Sequence, residues 1–144
     1  MNDCVFCAIV RGDAERSVVY EDDLLLVIMD LHPVNSGHAL AFPKRHLAYL
    51  AELDEGVAGA LFAAALRTAA ALRGSGIRCE GVNLFCADGE AAGQEVFHVH
   101  LHAIPRFYGD PFRVEREGGP SEAALRDELD SAAAQLRTAW SSVA

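Results

Sequence analysis

His98-Val99-His100-Leu101-His102 carries an imidazole at every second position, with apolar residues between. A strand puts residues i, i+2 and i+4 on one face. The stretch therefore predicts a strand with three rings along one side and Val99 and Leu101 entering a core on the other. Val96 and Phe97 before it, and Ala103, Ile104 and Pro105 after it, keep the segment apolar. Two chemistries fit such a row: holding a metal, or acid–base and nucleophilic work on an anion. Three bulky titratable rings at alternate positions are a poor choice for a merely solvated face.

The 144 residues suit one domain with a real core. The formal net charge of −9 argues against a general surface for nucleic acid or anionic membrane, and leaves room for one locally positive pocket. No apolar run approaches the ~20 residues of a membrane span. Met1-Asn2-Asp3-Cys4 lacks the basic and apolar regions of a secretory signal, so the expected location is cytoplasmic. The four cysteines are too few and too unevenly spaced for a disulfide scaffold. Cys4 and Cys7 then read as metal or redox groups.

Phe6, Ile9 and Val10 mark one face of a short helix that Arg11-Gly12-Asp13 ends. Ser17 to Glu21 and Leu24 to Met29 form a hairpin around Asp22-Asp23, the second strand apolar throughout as if covered on both faces. Asn35-Ser36-Gly37 turns the chain into a third strand, His38 to Phe42, stopped by Pro43. Asp54 to Arg73 is the clearest helix, with Asp54 as N-cap and Gly74 at C′. Its apolar face reads Leu61, Phe62, Ala65, Leu66, Ala69 and Leu72. Gly81 to Cys86 is a fourth strand, and a loop with Gly89 and Gly93 leads through Gln94-Glu95 into the histidine row. After a turn at Phe107 to Pro111 and a linker at Glu117 to Pro120, a second helix starts at Ser121-Glu122. Leu125, Leu129, Ala132, Ala133, Leu136 and Trp140 recur along it.

Cys4, Cys7, His46 and one histidine of the row, with His98 best placed, would complete a closed Cys2His2 set. Zinc there would be structural, although a Cys-x-x-Cys pair also serves redox chemistry and His46 could simply be solvated. His100 and His102 remain, with His38 a candidate neighbour. Neutral imidazole is a nucleophile near pH 7, and the protonated form donates hydrogen bonds to phosphate oxygens. Backbone N–H groups beside Gly93 suit an anion. Together these point to phosphoryl or nucleotidyl transfer, one ring attacking phosphorus while others stabilise charge. Asp30 could accept ribose hydroxyls or only cap its own turn. Val5, Phe6, Ile9 and Met29 could wall a slot for the base.

The chain resembles the histidine triad superfamily, specifically its Hint-like branch. The resemblance rests on Gly93-Gln94, His98-Val99-His100-Leu101-His102 and Ile104-Pro105-Arg106, together with Asp30, Gly37-His38 and Pro43-Lys44-Arg45-His46. Cys4-Val5-Phe6-Cys7 matches the zinc-binding bacterial members. It implies an α+β fold in which a five-stranded antiparallel sheet with a central helix joins a second copy as a homodimer. Residues 1–107 would be the histidine triad domain, and 108–144 an added C-terminal helical extension packed on it. The implied activity is hydrolysis or transfer at the α-phosphate of a purine nucleotide derivative, such as a nucleoside phosphoramidate, without a catalytic metal. His100 would be the nucleophile, His102 would bind phosphate and His38 would support the network. Gly93, Gln94 and Glu95 would give backbone contacts to phosphate. Asp30 and Leu31 would hold the ribose, and Cys4, Cys7, His46 and His98 the structural zinc.

Three features depart from that pattern. Ala87, followed by Asp88, stands where an asparagine is common. Glu95 replaces the usual serine or threonine, so its backbone N–H rather than its carboxylate should face a phosphate. The chain also continues well past the compact Hint ending. His32 has no matching role. Dinucleotide polyphosphate hydrolysis, or nucleotide binding with little catalysis, are the alternatives.

Overall fold

A computed structural model describes residues 4–113 and 123–143. The chain divides into two compact units, Met1–Pro111 and Phe112–Ala144. In the first, α1 (Val5–Arg11) precedes β1 (Val18–Glu21), β2 (Leu25–Met29) and β3 (Ala39–Pro43). The helix α2 (Glu55–Gly74), β4 (Gly81–Phe85) and β5 (Leu101–Arg106) complete it. The sheet is antiparallel throughout, in the order β1-β2-β3-β5-β4. The last strand in sequence thus inserts between β3 and β4, so the histidine row ends inside the sheet instead of at its edge.

β2 and β3 are apolar without alternation because both faces are covered. On one side Leu25, Val27, Ala39, Ala41 and Val99 pack under Leu61 and Ala64 of α2. On the other, Leu26, Ile28, Leu40 and Phe42 meet Phe6 and Ile9 of α1. Burying each large side chain contributes roughly 1.5–3 kcal/mol. The Phe6 and Phe42 rings stack at 4.5 Å, which anchors α1 over the row.

Regular pairing of β5 starts only at Leu101, opposite Ala41. The expected strand over the whole row is therefore too long. By that register Phe42 would next face His100 and Pro43 would face Val99, and proline has no N–H to continue a ladder. The Val99 N–H instead donates to the Leu47 carbonyl at 2.7 Å. Alternation survives, with Val99 buried under α2 and His98 and His100 on the α1 side.

The Asp54 carboxylate caps α2 by accepting the Val57 N–H at 2.9 Å. Two expectations for this helix fail. Gly74 is its last helical residue, and Ser75 closes the end by donating its hydroxyl to the Leu72 carbonyl at 2.9 Å. Phe62 and Leu66 are each 52% exposed. The buried face runs through Leu61, Ala65, Thr68, Ala69 and Leu72. Phe62 and Leu66 sit one residue, about 100° of turn, beyond Leu61 and Ala65. α2 also reaches the length and apolarity of a membrane span, contrary to the expectation of none. Its alanine-rich core-facing side accounts for much of that apolarity.

The second unit contains α3 (Arg126–Trp140). Its first helical residue is Arg126, and the linker and Ser121-Glu122 lie outside the described residues. Leu129, Leu136 and Trp140 are exposed.

Candidate active site and metal centre

His98 has no exposed surface. Its Nε2–H donates to the Pro43 carbonyl at 2.7 Å, leaving the Nδ1 lone pair to face Cys4 Sγ at 3.5 Å and Cys7 Sγ at 3.7 Å. His46 Nδ1 lies 3.2 Å from Cys7 Sγ. All four donor atoms fall within 4.8 Å of one another. A tetrahedral zinc with bonds of ~2.3 Å to sulfur and ~2.0 Å to nitrogen needs S···N edges of roughly 3.6 Å. The residues fit that cation, and the carbonyl on the far nitrogen of His98 is the outer partner that fixes such a ligand.

Two residues on, His100 is buried, and its Nδ1–H donates to the carbonyl of His98 at 2.7 Å. The Nε2 lone pair is thereby left on the other side of the ring. The His100 and His102 rings lie 4.9 Å apart. His102 Nδ1 is 2.8 Å from His38 Nε2. The Val34 N–H donates to His38 Nδ1 at 3.2 Å. That assigns the His38 proton to Nε2, which donates to His102, and leaves the His102 proton on its own Nε2. Asp30 takes the turn-capping reading. One oxygen caps the turn by accepting the His32 N–H at 2.8 Å, and the other stands 3.4 Å from His38 Nδ1.

Burial, followed by the neighbouring His100 and His38, pushes His102 down from 6.5 to about 4. Burial also lowers His38, against the upward pull of Asp30. At neutral pH His102 and His38 therefore meet an anion as neutral N–H donors, not as the protonated rings expected, because burial disfavours the charge. Protonation below pH 6.5 favours the unfolded chain, whose histidines take up protons that the folded ones resist. Stability is thus complete above about 6.5 and declines toward about 4, the window set by His102. A Tm measured across that range should fall with pH, and fall less in His102→Gln. Equal slopes in both chains would contradict the assignment.

The Gln94 side chain is spent on backbone groups of its own loop and of the loop carrying Ala48. Its carbonyl accepts the Gly89 N–H at 2.7 Å, and its amide donates to Ala48 and Val96 carbonyls at 2.8 and 3.1 Å. This holds the loop before the row, and the expected cradle of three backbone donors shrinks: the Gly93 and Gln94 N–H groups donate to the Glu90 and Gly89 carbonyls at 2.9 and 3.1 Å, which leaves the Glu95 N–H for a ligand. The Glu95 side chain is exposed. Ala87 is buried, and the Asp88 carboxylate accepts the Leu50 N–H at 2.9 Å. Phe6 edges the His100 ring at 5.0 Å, whereas Ile9 belongs to the core and Met29 is half-buried at the end of β2. Leu31 is 85% exposed beside Asp30. His32 lies exposed in its loop.

Sequence reasoning missed a buried anchor behind His38. Arg106 clasps Asp110 through two nitrogens at 2.7 and 2.8 Å, and Asn35 donates to Asp110 at 3.1 Å and to the Pro105 carbonyl at 2.9 Å. The Arg106 guanidinium holds the Asp110 carboxyl well below the usual carboxylate range. Its only advance signal was the i,i+4 spacing of opposite charges across Phe107-Tyr108-Gly109. A cavity of about 360 Å³ at the Gly81 and Arg106 end of β4 and β5 contains none of the histidines.

An antiparallel α+β domain with three histidines alternating into an inner strand, each hydrogen-bonded to backbone or to another imidazole, defines the histidine triad class. The chain belongs to the HIT family, whose HIT domain profile matches residues 11–109. It is 42% identical over 106 residues to the adenylylsulfatase HINT3 of Arabidopsis thaliana, covering 73% of this chain and 53% of that one. A HIT family member from Bacillus subtilis superposes with a TM-score of 0.85 at 33% identity, covering 94% of this chain and 96% of that one. A Zn-bound histidine triad family protein from Mycobacterium smegmatis gives 0.75 at 40% identity, covering 96% and 98%.

Proposed function

We propose that this chain cleaves nucleoside 5′-phosphoramidates, and related purine nucleotide derivatives, through a covalent nucleotidyl-His100 intermediate. The observation that carries this reading is the 2.7 Å bond from His100 Nδ1–H to the His98 carbonyl, which commits one nitrogen and leaves Nε2 nucleophilic. Nε2 attacks the α-phosphorus in line. The P–N bond breaks, and the amine departs with the electron pair and takes up a proton from solvent. Water then attacks phosphorus, the P–Nε2 bond breaks, and nucleoside monophosphate is released. The His102 Nε2–H donates to a non-bridging oxygen and His38 holds its tautomer. The Glu95 backbone N–H adds a donor, a group of this kind contributing on the order of 10²–10³ in rate, while the Gly93 and Gln94 N–H groups hold the loop in place by donating to Glu90 and Gly89 carbonyls. Asp30 and Leu31 take the ribose, and Phe6, Ile9 and Met29 border the base.

The adenylylsulfatase relative keeps a sulfate leaving group in view, and dinucleotide polyphosphates are a third candidate. The exposed Glu95 carboxylate and the net charge of −9 favour an uncharged or cationic leaving group over a polyanion. The test is mass spectrometry of the chain quenched during turnover of each substrate. The expected product is a nucleotidyl group on the peptide carrying His100, forming fastest from the phosphoramidate. An adduct elsewhere, or none during turnover, removes the mechanism.

A structural zinc on Cys4, Cys7, His46 and His98 would staple α1 to the sheet, and the reaction itself needs no metal at phosphorus. Thiolate ligands of this kind belong in a reducing compartment, in keeping with a cytoplasmic protein. We also infer a homodimer. β4 is an edge strand, and edges are normally covered or blunted, while α2 exposes Phe62 and Leu66. Sedimentation should give twice the 15.4 kDa chain mass, and a monomer at micromolar concentration would refute it.

A further inference from the structure

We propose that the Cys4, Cys7, His46 and His98 cluster positions the attacking ring, so that the cation it holds sets the orientation of His100. The inference rests on the reading of His100 as nucleophile and adds a second task to a centre otherwise regarded as a staple.

Two independent paths join the cluster to that ring. The first is backbone. A cation on His98 Nδ1 forces the proton onto Nε2, and Nε2 donates to the Pro43 carbonyl at 2.7 Å. The His98 side chain is then fixed at both nitrogens. The carbonyl of this same residue accepts the His100 Nδ1–H. The second path is the helix. Cys4 and Cys7 bracket Phe6 on α1, and the Phe6 ring edges both His98, at 5.6 Å, and His100, at 5.0 Å. Pulling the two thiolates onto the cation presses this ring against both histidines, with Phe42 stacked behind it at 4.5 Å.

Without a cation, the proton on His98 can move to Nδ1, where Cys4 and Cys7 sulfurs are weak acceptors at 3.5 and 3.7 Å. The bond to Pro43 is then lost and the peptide carrying the His98 carbonyl can rotate. His100 would lose its single tautomer. Asp30 and Leu31 lie on the segment after β2, away from these paths, and only the α1 side of the base slot moves with them, so binding should suffer less than reaction. A misplacement of about 1 Å costs up to roughly 100-fold in rate.

The test compares zinc-loaded, chelator-stripped and cadmium-exchanged chain. Two-bond ¹H–¹⁵N spectra read the His100 tautomer, and steady-state kinetics separate kcat from KM. The loaded chain should show a single Nδ1–H form of His100. Stripping should mix the tautomers and lower kcat by about 10- to 100-fold, with KM moving less than about threefold. Cadmium, with longer bonds than zinc, keeps the fold even where stripping does not. It should shift the His100 nitrogens and leave those of His38 and His102 in place. Identical His100 spectra and kcat in the zinc and cadmium forms would overturn the coupling. If the tautomer follows the metal while no form makes a nucleotidyl adduct, the coupling stands and the nucleophile assignment falls.

Discussion

Replacing His100 by alanine should lower kcat for a nucleoside phosphoramidate by at least about 10⁴-fold while the Kd for nucleoside monophosphate changes less than about threefold. Loss of a covalent nucleophile removes a whole reaction path, and in hydrolases built this way single deletions cost on the order of 10⁴–10⁶. Binding should survive because the ribose, base and backbone contacts come from Asp30, Leu31, Phe6 and the 93–95 loop, none of which depends on the His100 side chain. His102→Ala should cost less, about 10²–10³, since it removes a donor and not the bond-forming atom. Single-turnover kinetics beside calorimetric binding would measure both. An alanine variant retaining a tenth of the rate would place the chemistry on another group. Equal losses in the two variants would mean that the rings act as one unit and that His100 has no separate role.

The triad was legible because alternation is the strongest rule a strand obeys, and it held even where regular pairing had ceased. Val99 still faces α2 and His98 still faces Phe6, although the ladder begins only at Leu101. The metal cluster was legible for a chemical reason. Few residue types hold zinc, and the available cysteines and histidines left little choice. What stayed hidden depended on three-dimensional accounting. No local pattern says that Phe62 and Leu66 lie off the buried stripe of α2, because their spacing matches that of Leu61 and Ala65. Nor does one tell that the Gln94 side chain ties its own loop to Ala48, or that Asn35 reaches seventy residues along the chain to the Pro105 carbonyl. Asp30 shows the same limit in milder form. Turn cap and ribose acceptor looked like alternatives; one oxygen makes the cap, and the other stands beside His38, a place no local pattern foretells.

Removing zinc should lower Tm by roughly 10 °C and Cys7→Ser should do the same, with metal content falling from one per chain to well below one. A ligand at 1,000 times its Kd stabilises the folded state by about 4 kcal/mol. For a domain of this size each kcal/mol moves Tm by roughly 3 °C. The cation can act this strongly because of what its ligands join. Cys4 stands at the N-cap of α1 and Cys7 lies on it, His46 is on the loop after β3 and His98 ahead of β5, so one ion ties three separate segments together. Unfolding should nevertheless remain cooperative in the stripped chain, since the cluster under α2 includes none of the four ligands. Zinc titration into stripped protein, followed by differential scanning calorimetry, measures the gain directly. If Cys4 and Cys7 were instead a redox pair, oxidation would raise Tm and zinc would not. That result would remove the metal centre, and with it any control of His100 by a bound cation.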